Sequence, residues 1–382
     1  MRALRNLRAK LRYRAGQVLA RLLAPRRHSS ILPAPELRSV LIVRINARMG
    51  NTLFLTPLIS RLHAELPQAR IDLALSNPKG EDLLAGLPGV GRVITFPHKG
   101  VDMIPRYLAA VRRLRAERYD LAIDPTPSST SGRMALALAR ARFRLGFASA
   151  DQWAPLTHAV APPGPRVHQA VQPLLLLPQA LGVGVDIRSV RLDLALRPEE
   201  LQTGRERLAQ ALARRAGASA SGVDPPPAFG FFAYATALKS LDPRYWRAFW
   251  EAFLALEPQV MPVEFLPSPQ SAPLSAAFAS LHVPSPRALS ATIAATRLFV
   301  SADTGPMHLA SATAVPTIAL FCASDPALYG PLKPSDLVLE VASCPPAIAA
   351  ERCRRAWQDA CACERERRAA RDHGAQELRL LR

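Results

Sequence analysis

Short apolar runs alternate with helical stretches along the first half of the chain, and this alternation most constrains the fold. The run Val40–Ile45 (VLIVRI) is apolar almost throughout, which is typical of a strand buried on both faces of a parallel sheet. Further predicted elements are strands at Ile71–Leu75, Arg92–Phe96 and Tyr119–Ile123, and helices at Thr52–Glu65 and Ile104–Arg118. Repeated strand–helix units predict a doubly wound α/β domain.

A second alternation follows Gly217–Pro227 (GASASGVDPPP), whose Gly, Ser and Pro content indicates a linker after the charged helical stretch Arg197–Arg215. The predicted elements of this half are strands at Phe229–Tyr234, Val263–Leu266, Leu298–Ser301 and Thr317–Phe321, and helices at Pro243–Leu256 and Pro306–Ala314. Two such domains predict a cleft between them, with the carboxyl ends of the strands facing it.

The length of 382 residues and the 49% hydrophobic content suit two domains with real cores. The predicted division has five parts: a basic tail and linker at 1–35, a first Rossmann-like domain at 36–195, a connecting helix and linker at 196–227, a second Rossmann-like domain at 228–345, and a Cys/Arg-rich helical tail at 346–382.

The net charge of +19 is concentrated at the N-terminus, where residues 1–30 carry nine Lys and Arg and no acid. Over residues 1–23 these charges surround an apolar stripe at helical spacing, which predicts a basic amphipathic helix on an anionic membrane surface. We therefore expect a cytoplasmic protein, peripheral on the inner face of the cytoplasmic membrane. The alternative is a solvated helix or one packed on a partner. The chain lacks an 18-residue uncharged apolar run for a spanning helix, and its aromatic content of 6% disfavours a nucleic-acid binder.

Four of the five cysteines, Cys344, Cys353, Cys361 and Cys363, lie within twenty residues near the C-terminus. Their spacing lacks the paired C-x-x-C units of structural zinc sites. We expect reduced thiols and no metal, and a four-cysteine metal site is the alternative.

The segment Ser301–His308 joins a predicted strand to a predicted helix. Pro306 suits the first helical position and Thr304 or Gly305 the cap. Such a junction offers free N–H groups to a phosphate, and His308 falls in the first turn. The alternative is an ordinary capped helix with a histidine facing solvent.

Two further segments follow the first strand of each predicted domain. In the first, Gly50 permits a sharp turn and Asn51 is a good N-cap for the next helix, so the segment is a candidate acceptor loop. In the second, Lys239 and Ser240 follow the strand, and a lysine there is placed to neutralise a leaving diphosphate. The alternative is a solvated loop lysine.

Together these segments resemble glycosyltransferase family 9, the lipopolysaccharide heptosyltransferases and their relatives, from about Arg38 to Pro334. The motifs that carry the resemblance are D-T-G-P-M-H at Asp303–His308, V-P-T-I-A-L-F at Val315–Phe321, R-I-N-A-R-M-G-N-T at Arg44–Thr52 with T-P-L at Thr56–Leu58, Y-D-L-A-I-D at Tyr119–Asp124, R-L-G-F at Arg144–Phe147 and A-L-K-S-L at Ala237–Leu241.

The resemblance implies a GT-B fold, two Rossmann-like domains facing a cleft, and inverting, metal-independent sugar transfer without a cofactor. The donor is expected to be a nucleotide-diphosphate sugar, ADP-heptose being the best known in the family, and the acceptor a lipopolysaccharide or other lipid-linked glycan. The implied donor-site residues are Lys239, Ser240, Asp303, Thr304, Gly305, Pro306 and His308. The implied acceptor-loop residues are Arg44, Asn46, Gly50 and Thr52.

Asn51 departs from the family pattern, which carries an Asp there as the proposed catalytic base. An amide keeps the shape of that side chain but cannot accept the proton. Three explanations remain open: another carboxylate such as Asp124 serves, transfer relies on positioning and diphosphate stabilisation, or the protein is catalytically weak. The donor region departs too, because no clear acidic residue stands at Ser268–Ser271. A nucleotide-sugar-binding or assembly protein at the membrane is therefore the alternative function.

Overall fold

The computed structural model describes residues 30–97, 103–149, 156–216 and 227–380. The chain divides into two compact units between Ala195 and Leu196. The predicted amphipathic helix over residues 1–23 lies outside the described residues. No helix in the described ranges combines the length and the apolar character needed to cross a membrane.

The first unit contains a six-stranded parallel sheet in its described part, with the strand order β3-β2-β1-β4-β5-β6. Its strands are β1 (Ser39–Arg44), β2 (Arg70–Leu75), β3 (Val90–Thr95), β4 (Arg118–Asp124), β5 (Arg140–Phe147) and β6 (His158–Val160). The four residues of β1 from Val40 to Val43 are fully buried, as the continuous apolar run predicts.

The helices of the first unit are α1 (Met49–Leu53), α2 (Thr56–Glu65), α3 (Gly80–Leu84), α4 (Met103–Arg115), α5 (Thr130–Leu138) and α6 (Leu177–Leu181), with 3-10 turns at Ala34–Glu36 and Gln172–Leu176. The single helix predicted at Thr52–Glu65 is wrong, because the chain forms two helices separated at Phe54 and Leu55. Asn51 lies inside α1, whose N-cap is Arg48, so its predicted capping role is also wrong.

The second unit contains another parallel sheet of six strands in its described part, in the order β12-β11-β10-β7-β8-β9. Its strands are β7 (Ala228–Phe232), β8 (Met261–Leu266), β9 (Ala279–His282), β10 (Leu298–Ala302), β11 (Thr317–Phe321) and β12 (Leu337–Glu340). When β7 is numbered as strand 1 and the sheet is read from β9 to β12, the order is 3-2-1-4-5-6, the same as in the first unit. Both units therefore have the Rossmann topology, and the predicted α/β class with two Rossmann-like domains is confirmed.

The helices of the second unit are α7 (Pro198–Ala216), α8 (Pro243–Leu256), α9 (Pro286–Ile293), α10 (Gly305–Ser311), α11 (Pro326–Tyr329) and α12 (Pro346–Leu380), with 3-10 turns at Ala237–Lys239 and Val341–Ser343. Helix α7 occupies much of the segment predicted as a connector and packs on α9. At their contact, a Cβ on Gly204 would lie 2.2 Å from the Ala291 carbonyl oxygen. The Glu200 carboxylate also pairs with the Arg287 guanidinium at 2.5 Å.

The first turns of α12 belong to the aromatic core of the second unit. Cys353 and Trp357 are buried there, and the Trp357 ring stacks on Phe229 at 5.7 Å between centroids. Cys344 is buried in the same core, Cys361 is partly buried, and Cys363 is exposed. Among the described residues, no group of three or more His, Cys, Asp or Glu side chains is placed to hold a metal ion.

We predict that Trp357→Ala destabilises the second unit by about 3–5 kcal/mol, because it removes a buried indole and leaves a cavity against β7. The exposed Asp359 on the same helix supplies the control, since Asp359→Ala removes no buried surface and is expected to change stability by less than about 0.5 kcal/mol. Urea unfolding followed by tryptophan fluorescence and circular dichroism measures both. Equal midpoints for the two variants would contradict a core role for α12.

Candidate functional site

The predicted site residues gather where doubly wound sheets bind ligands, outside the carboxyl ends of the strands at the switch point of the strand order. In the first unit the switch point lies between β1 and β4, which end at Arg44 and Asp124. In the second unit it lies between β7 and β10. Lys239 lies in the 3-10 turn after β7, and Asp303 directly follows β10. Each unit thus carries one set of candidate residues at its own switch point.

The buried carboxylate of Asp303 organises the donor-site candidates of the second unit. Its Oδ2 atom lies 2.5 Å from the Lys239 Nζ atom and also accepts a hydrogen bond from the Ser324 hydroxyl. Its Oδ1 atom lies 3.8 Å from the His308 Nε2 atom. The Lys239 side chain stays about one-third exposed, so its ammonium group is paired and also open to solvent. The alternative of a fully solvated loop lysine does not describe this position.

Helix α10 begins at Gly305 with Thr304 as the N-cap residue, as predicted. The Thr304 side chain does not cap the helix, because its hydroxyl donates to the Ala302 carbonyl at 3.2 Å. Pro306 stands at the second helical position rather than the first. His308 is buried, so the alternative of a histidine facing solvent is wrong. Ser240 is exposed beside Lys239.

Three residues after β11 complete this cluster and were not found from the sequence. Ser324 bonds Asp303, and the Tyr329 ring lies 5.7 Å from the Lys239 Nζ atom. Cys322 is the third, and burial together with the Asp303 charge raises the pKa of its thiol, which Lys239 partly offsets. Because β11 is the neighbour of β10, the segment after it reaches the same edge of the sheet. The sequence signal was therefore its position directly after a predicted buried strand.

The far end of α10 is held by Lys333, whose ammonium group donates to the carbonyls of Ala310 at 3.1 Å and Val315 at 2.8 Å. Asp336 lies 3.3 Å from the Lys333 Nζ atom and accepts from the backbone N–H of Thr317. Burial lowers the pKa of Lys333 and raises that of Asp336. This pair fixes α10 to β11 and so fixes the position of the Asp303–His308 segment.

Asp124 is fully buried at the switch point of the first unit. Its Oδ2 atom lies 3.3 Å from the Arg133 guanidinium, and its Oδ1 atom accepts from the backbone N–H of Thr126 at 3.0 Å. Arg44 donates to the Thr126 hydroxyl at 3.0 Å. Burial raises the pKa of Asp124 to about 6, against the opposing effects of Arg133, Thr126 and Arg44. The arrangement links the ends of β1 and β4 through a carboxylate that has no exposure to solvent.

Arg133 was missed from the sequence and is itself almost fully buried. It donates to the Phe147 carbonyl at 2.7 Å, which ties helix α5 to the end of β5. Gly146 leaves the space that the guanidinium fills, since a Cβ there would lie 2.3 Å from the Arg133 Nη1 atom. A Cβ on Gly132 would likewise meet the Asp124 carboxylate at 2.8 Å. The R-L-G-F motif thus has a packing reason for its glycine.

The acceptor-loop candidates lie around the start of α1. Asn46 accepts from the backbone N–H of Arg48 at 2.9 Å through its side chain, and Gly50 is the second residue of the helix. Thr52 is buried, and its hydroxyl accepts from the Asn77 amide at 3.2 Å. Asn51 is partly exposed next to Thr52. The structure therefore ties Thr52 to the end of β2, while Arg44 belongs to the Asp124 network.

Residues 287–355 match the sequence model of glycosyltransferase family 9 (heptosyltransferase). This range contains Asp303, His308, Ser324 and Lys333. Comparison with curated proteins gave no match.

Three solved structures are similar over most of the chain. The glycosyltransferase family 9 protein from Veillonella parvula is 20% identical with a TM-score of 0.64, covering 79% of this chain and 86% of its own. Escherichia coli heptosyltransferase WaaC with ADP is 19% identical with a TM-score of 0.65. The alignment covers 83% of this chain and 99% of WaaC. Escherichia coli ADP-heptose lipopolysaccharide heptosyltransferase II is 17% identical with a TM-score of 0.62. The alignment covers 85% of this chain and 99% of that enzyme.

These comparisons confirm the predicted resemblance to glycosyltransferase family 9. The two Rossmann-like units match the GT-B-like fold of the heptosyltransferase structures, and the family match covers the Asp303–His308 segment of the second unit. The chain is therefore similar to the heptosyltransferases of glycosyltransferase family 9 in its fold and in the sequence of residues 287–355.

We predict that burial of Asp124 makes stability fall as pH rises from about 4 to about 6, because the folded state keeps the proton that the unfolded chain releases near its ordinary pKa. A rise in pKa from 3.8 to about 6 corresponds to about 3 kcal/mol of lost stability above pH 6. Asp124→Asn lacks this ionisation. Urea unfolding of both proteins between pH 4 and pH 7 should show the wild type losing stability relative to the variant. A relative gain for the wild type would mean that pairing with Arg133 outweighs burial.

Proposed function

We propose that the chain is an inverting glycosyltransferase that moves a heptose or related sugar from a nucleotide-diphosphate sugar to a lipopolysaccharide or other cell-surface glycan. The observation that carries the proposal is the Lys239–Asp303–His308 cluster at the switch point of the second unit. It coincides with the motif of a sugar-transferring family, and two of its three members lie within the matched range.

The chemistry of this cluster suits a departing diphosphate. An ammonium group has three donors, so Lys239 can keep its bond to Asp303 and still donate to phosphate oxygens. Asp303 holds that ammonium group in place before the reaction begins, which is the condition for stabilising charge as it develops. In inverting transfer the acceptor oxygen attacks the anomeric carbon, the bond to the diphosphate breaks, and the acceptor proton leaves to a base or to solvent. We propose that Lys239 receives the diphosphate, with no metal required.

An ADP-linked heptose is the proposed donor. Escherichia coli WaaC has been solved with ADP and with ADP-2-deoxy-2-fluoro heptose, and the second Escherichia coli neighbour is described as an ADP-heptose enzyme. These neighbours share the fold of the second unit. We propose that Ser240, Thr304, Gly305 and Pro306 contribute to the same donor site beside Lys239.

The acceptor is proposed to bind the first unit near Arg44, Asn46, Gly50 and Thr52, at the carboxyl end of β1. Asn51 cannot act as the base. Complete burial and pairing with Arg133 favour a positioning role for Asp124 over direct proton abstraction, because a general base must reach the acceptor hydroxyl or a bridging water. We therefore propose that transfer relies on positioning and diphosphate stabilisation.

We also propose a peripheral location on the inner face of the cytoplasmic membrane, with residues 1–23 as an anchor.

The second candidate function is a nucleotide-sugar-binding or assembly protein at the membrane, and Asn51 is the observation that favours it. A thermal-shift panel of ADP-, GDP-, UDP- and CMP-linked sugars, combined with donor-turnover assays, separates the two functions. A protein that binds one donor tightly without hydrolysing or transferring its sugar has the second function.

We predict that Lys239→Met lowers kcat for sugar transfer by about 100-fold to 1,000-fold, because the departing diphosphate loses its cation. The exposed Arg247 on α8 supplies the matched control, since Arg247→Met removes the same charge from the same unit away from the cluster. Initial rates with ADP-heptose and a lipopolysaccharide acceptor measure both variants. Equal losses would point to a net-charge effect and contradict the assigned role of Lys239.

We predict that Asn51→Asp raises turnover, because it restores a proton acceptor at the family position without changing the size of the side chain. The pH profile of kcat in this variant is expected to gain an acidic limb that reports ionisation of the new carboxylate. The control is Asn51→Ala, which removes the amide without adding a base. Unchanged or lower turnover in Asn51→Asp would count against a missing base.

A further inference from the structure

Helix α4 turns an apolar face outward, although it lies on the surface of the first unit. Its inner face packs on the core through four residues at helical spacing: Tyr107, Ala110, Val111 and Leu114. Beside this inner face, Ile104 is 71% exposed, and Leu108, one turn further along the same side of the helix, is 51% exposed. Burial of the inner face already accounts for the helix, so the outer apolar residues need another explanation.

The position of this face follows from the topology of the sheet. Strand β3 runs parallel to its neighbours and ends at Thr95, and α4 connects it to the start of β4. The helix therefore begins at the carboxyl edge of the sheet and runs back toward the amino edge. Ile104 and Leu108 stand in its first two turns, on the same edge as Arg44 and Asp124.

Basic residues follow the apolar ones along the helix. Arg112, Arg113 and Arg115 are exposed in its last turn, and Met103–Arg115 contains no acidic residue. Glu117 lies just beyond the helix, but its carboxylate pairs with Arg70 and Arg92 on the neighbouring strands. The exposed surface of α4 thus combines an apolar end with positive charge.

We propose that the outer face of α4, formed by Ile104, Leu108, Arg112 and Arg115 at helical spacing, docks on an anionic lipid surface. Apolar side chains enter the boundary between headgroups and acyl chains, while the long arginine stems keep their charged ends among the lipid phosphates. Exposed arginines on a helix that has no acidic residue between Met103 and Arg115 match anionic lipid. The docked helix would turn the carboxyl edge of the first sheet toward the lipid, which suits a lipid-linked acceptor and in that respect rests on the proposed function.

Co-sedimentation of the full chain with phosphatidylcholine vesicles, with or without phosphatidylglycerol, tests the proposal. The double substitution Ile104→Glu with Leu108→Glu is expected to weaken binding to the anionic vesicles by about tenfold or more, since it places two charges in the inserted face. The matched control is Ile187→Glu, which alters a 56% exposed isoleucine of the same unit outside α4. It is expected to bind like the wild type.

A second variant tests the charge. Arg112→Gln with Arg115→Gln keeps the apolar residues and is expected to weaken binding to vesicles that contain phosphatidylglycerol, with no effect on pure phosphatidylcholine. Its binding should also depend less steeply on salt than that of the wild type. Equal loss on both kinds of vesicle would overturn the assignment of an anionic surface.

Several outcomes would overturn the proposal. Unchanged vesicle binding by the Glu double variant would show that another segment of the chain carries the whole contact. A concentration-dependent dimer that the same variant dissociates would assign the face to a second copy. Should the Glu variant fail to fold by circular dichroism, Ile104→Gln with Leu108→Gln makes the same measurement. The thermal shift with ADP-heptose tests the proposed function separately. If ADP-heptose does not raise the melting temperature of the wild type, the proposed donor is contradicted, while the vesicle measurements still decide whether α4 binds lipid.

Discussion

Burial of the central strands on both faces determines where chemistry can occur in each unit. Every residue of β7 and β10, and most of β1 and β4, is shielded from solvent, so these strands carry polar groups to the surface chiefly at their ends. Both sheets share one strand order, and each therefore has one switch point where the loops of adjacent strands diverge. The two candidate sites follow from that constraint.

The two switch points use their carboxylates differently. In the first unit, Asp124 is enclosed with Arg133 and holds the ends of neighbouring strands together, at a cost in desolvation that its raised pKa reflects. In the second unit, Asp303 is also buried, but its partner Lys239 remains in contact with solvent. The arrangement in the first unit is suited to fixing the ends of neighbouring strands, and the arrangement in the second unit is suited to presenting a positive charge to a ligand.

The fold could be predicted from the sequence wherever apolar runs were continuous. The predicted strand at Val40–Ile45 differs from β1 by one residue at each end. Strand β5 (RARFRLGF) was not predicted, because its first half alternates charged and apolar residues and is partly exposed. The C-terminal tail was predicted as a Cys/Arg-rich helix, but the burial of Cys353 and Trp357 was not, because it depends on tertiary contacts that a local pattern does not reveal.

The site was predictable to the extent that its residues share a motif. Asp303, Lys239 and His308 stand in recognisable segments, and the structure brings them together. Arg133 was missed because nothing in its local sequence distinguishes it from a surface residue, and Ser324 because its one signal was its position shortly after a predicted buried strand. Their roles arise from the parallel pairing that places β5 beside β4 and β11 beside β10.

The anchoring of α10 by Lys333 has an electrostatic consequence. A helix carries partial negative charge at its carboxyl end, and there the ammonium group of Lys333 meets the carbonyl of Ala310. That end is neutralised within the fold, whereas the amino end at Thr304 has no side-chain cap. The helix therefore keeps a partial positive charge at its amino end, next to the Asp303 carboxylate.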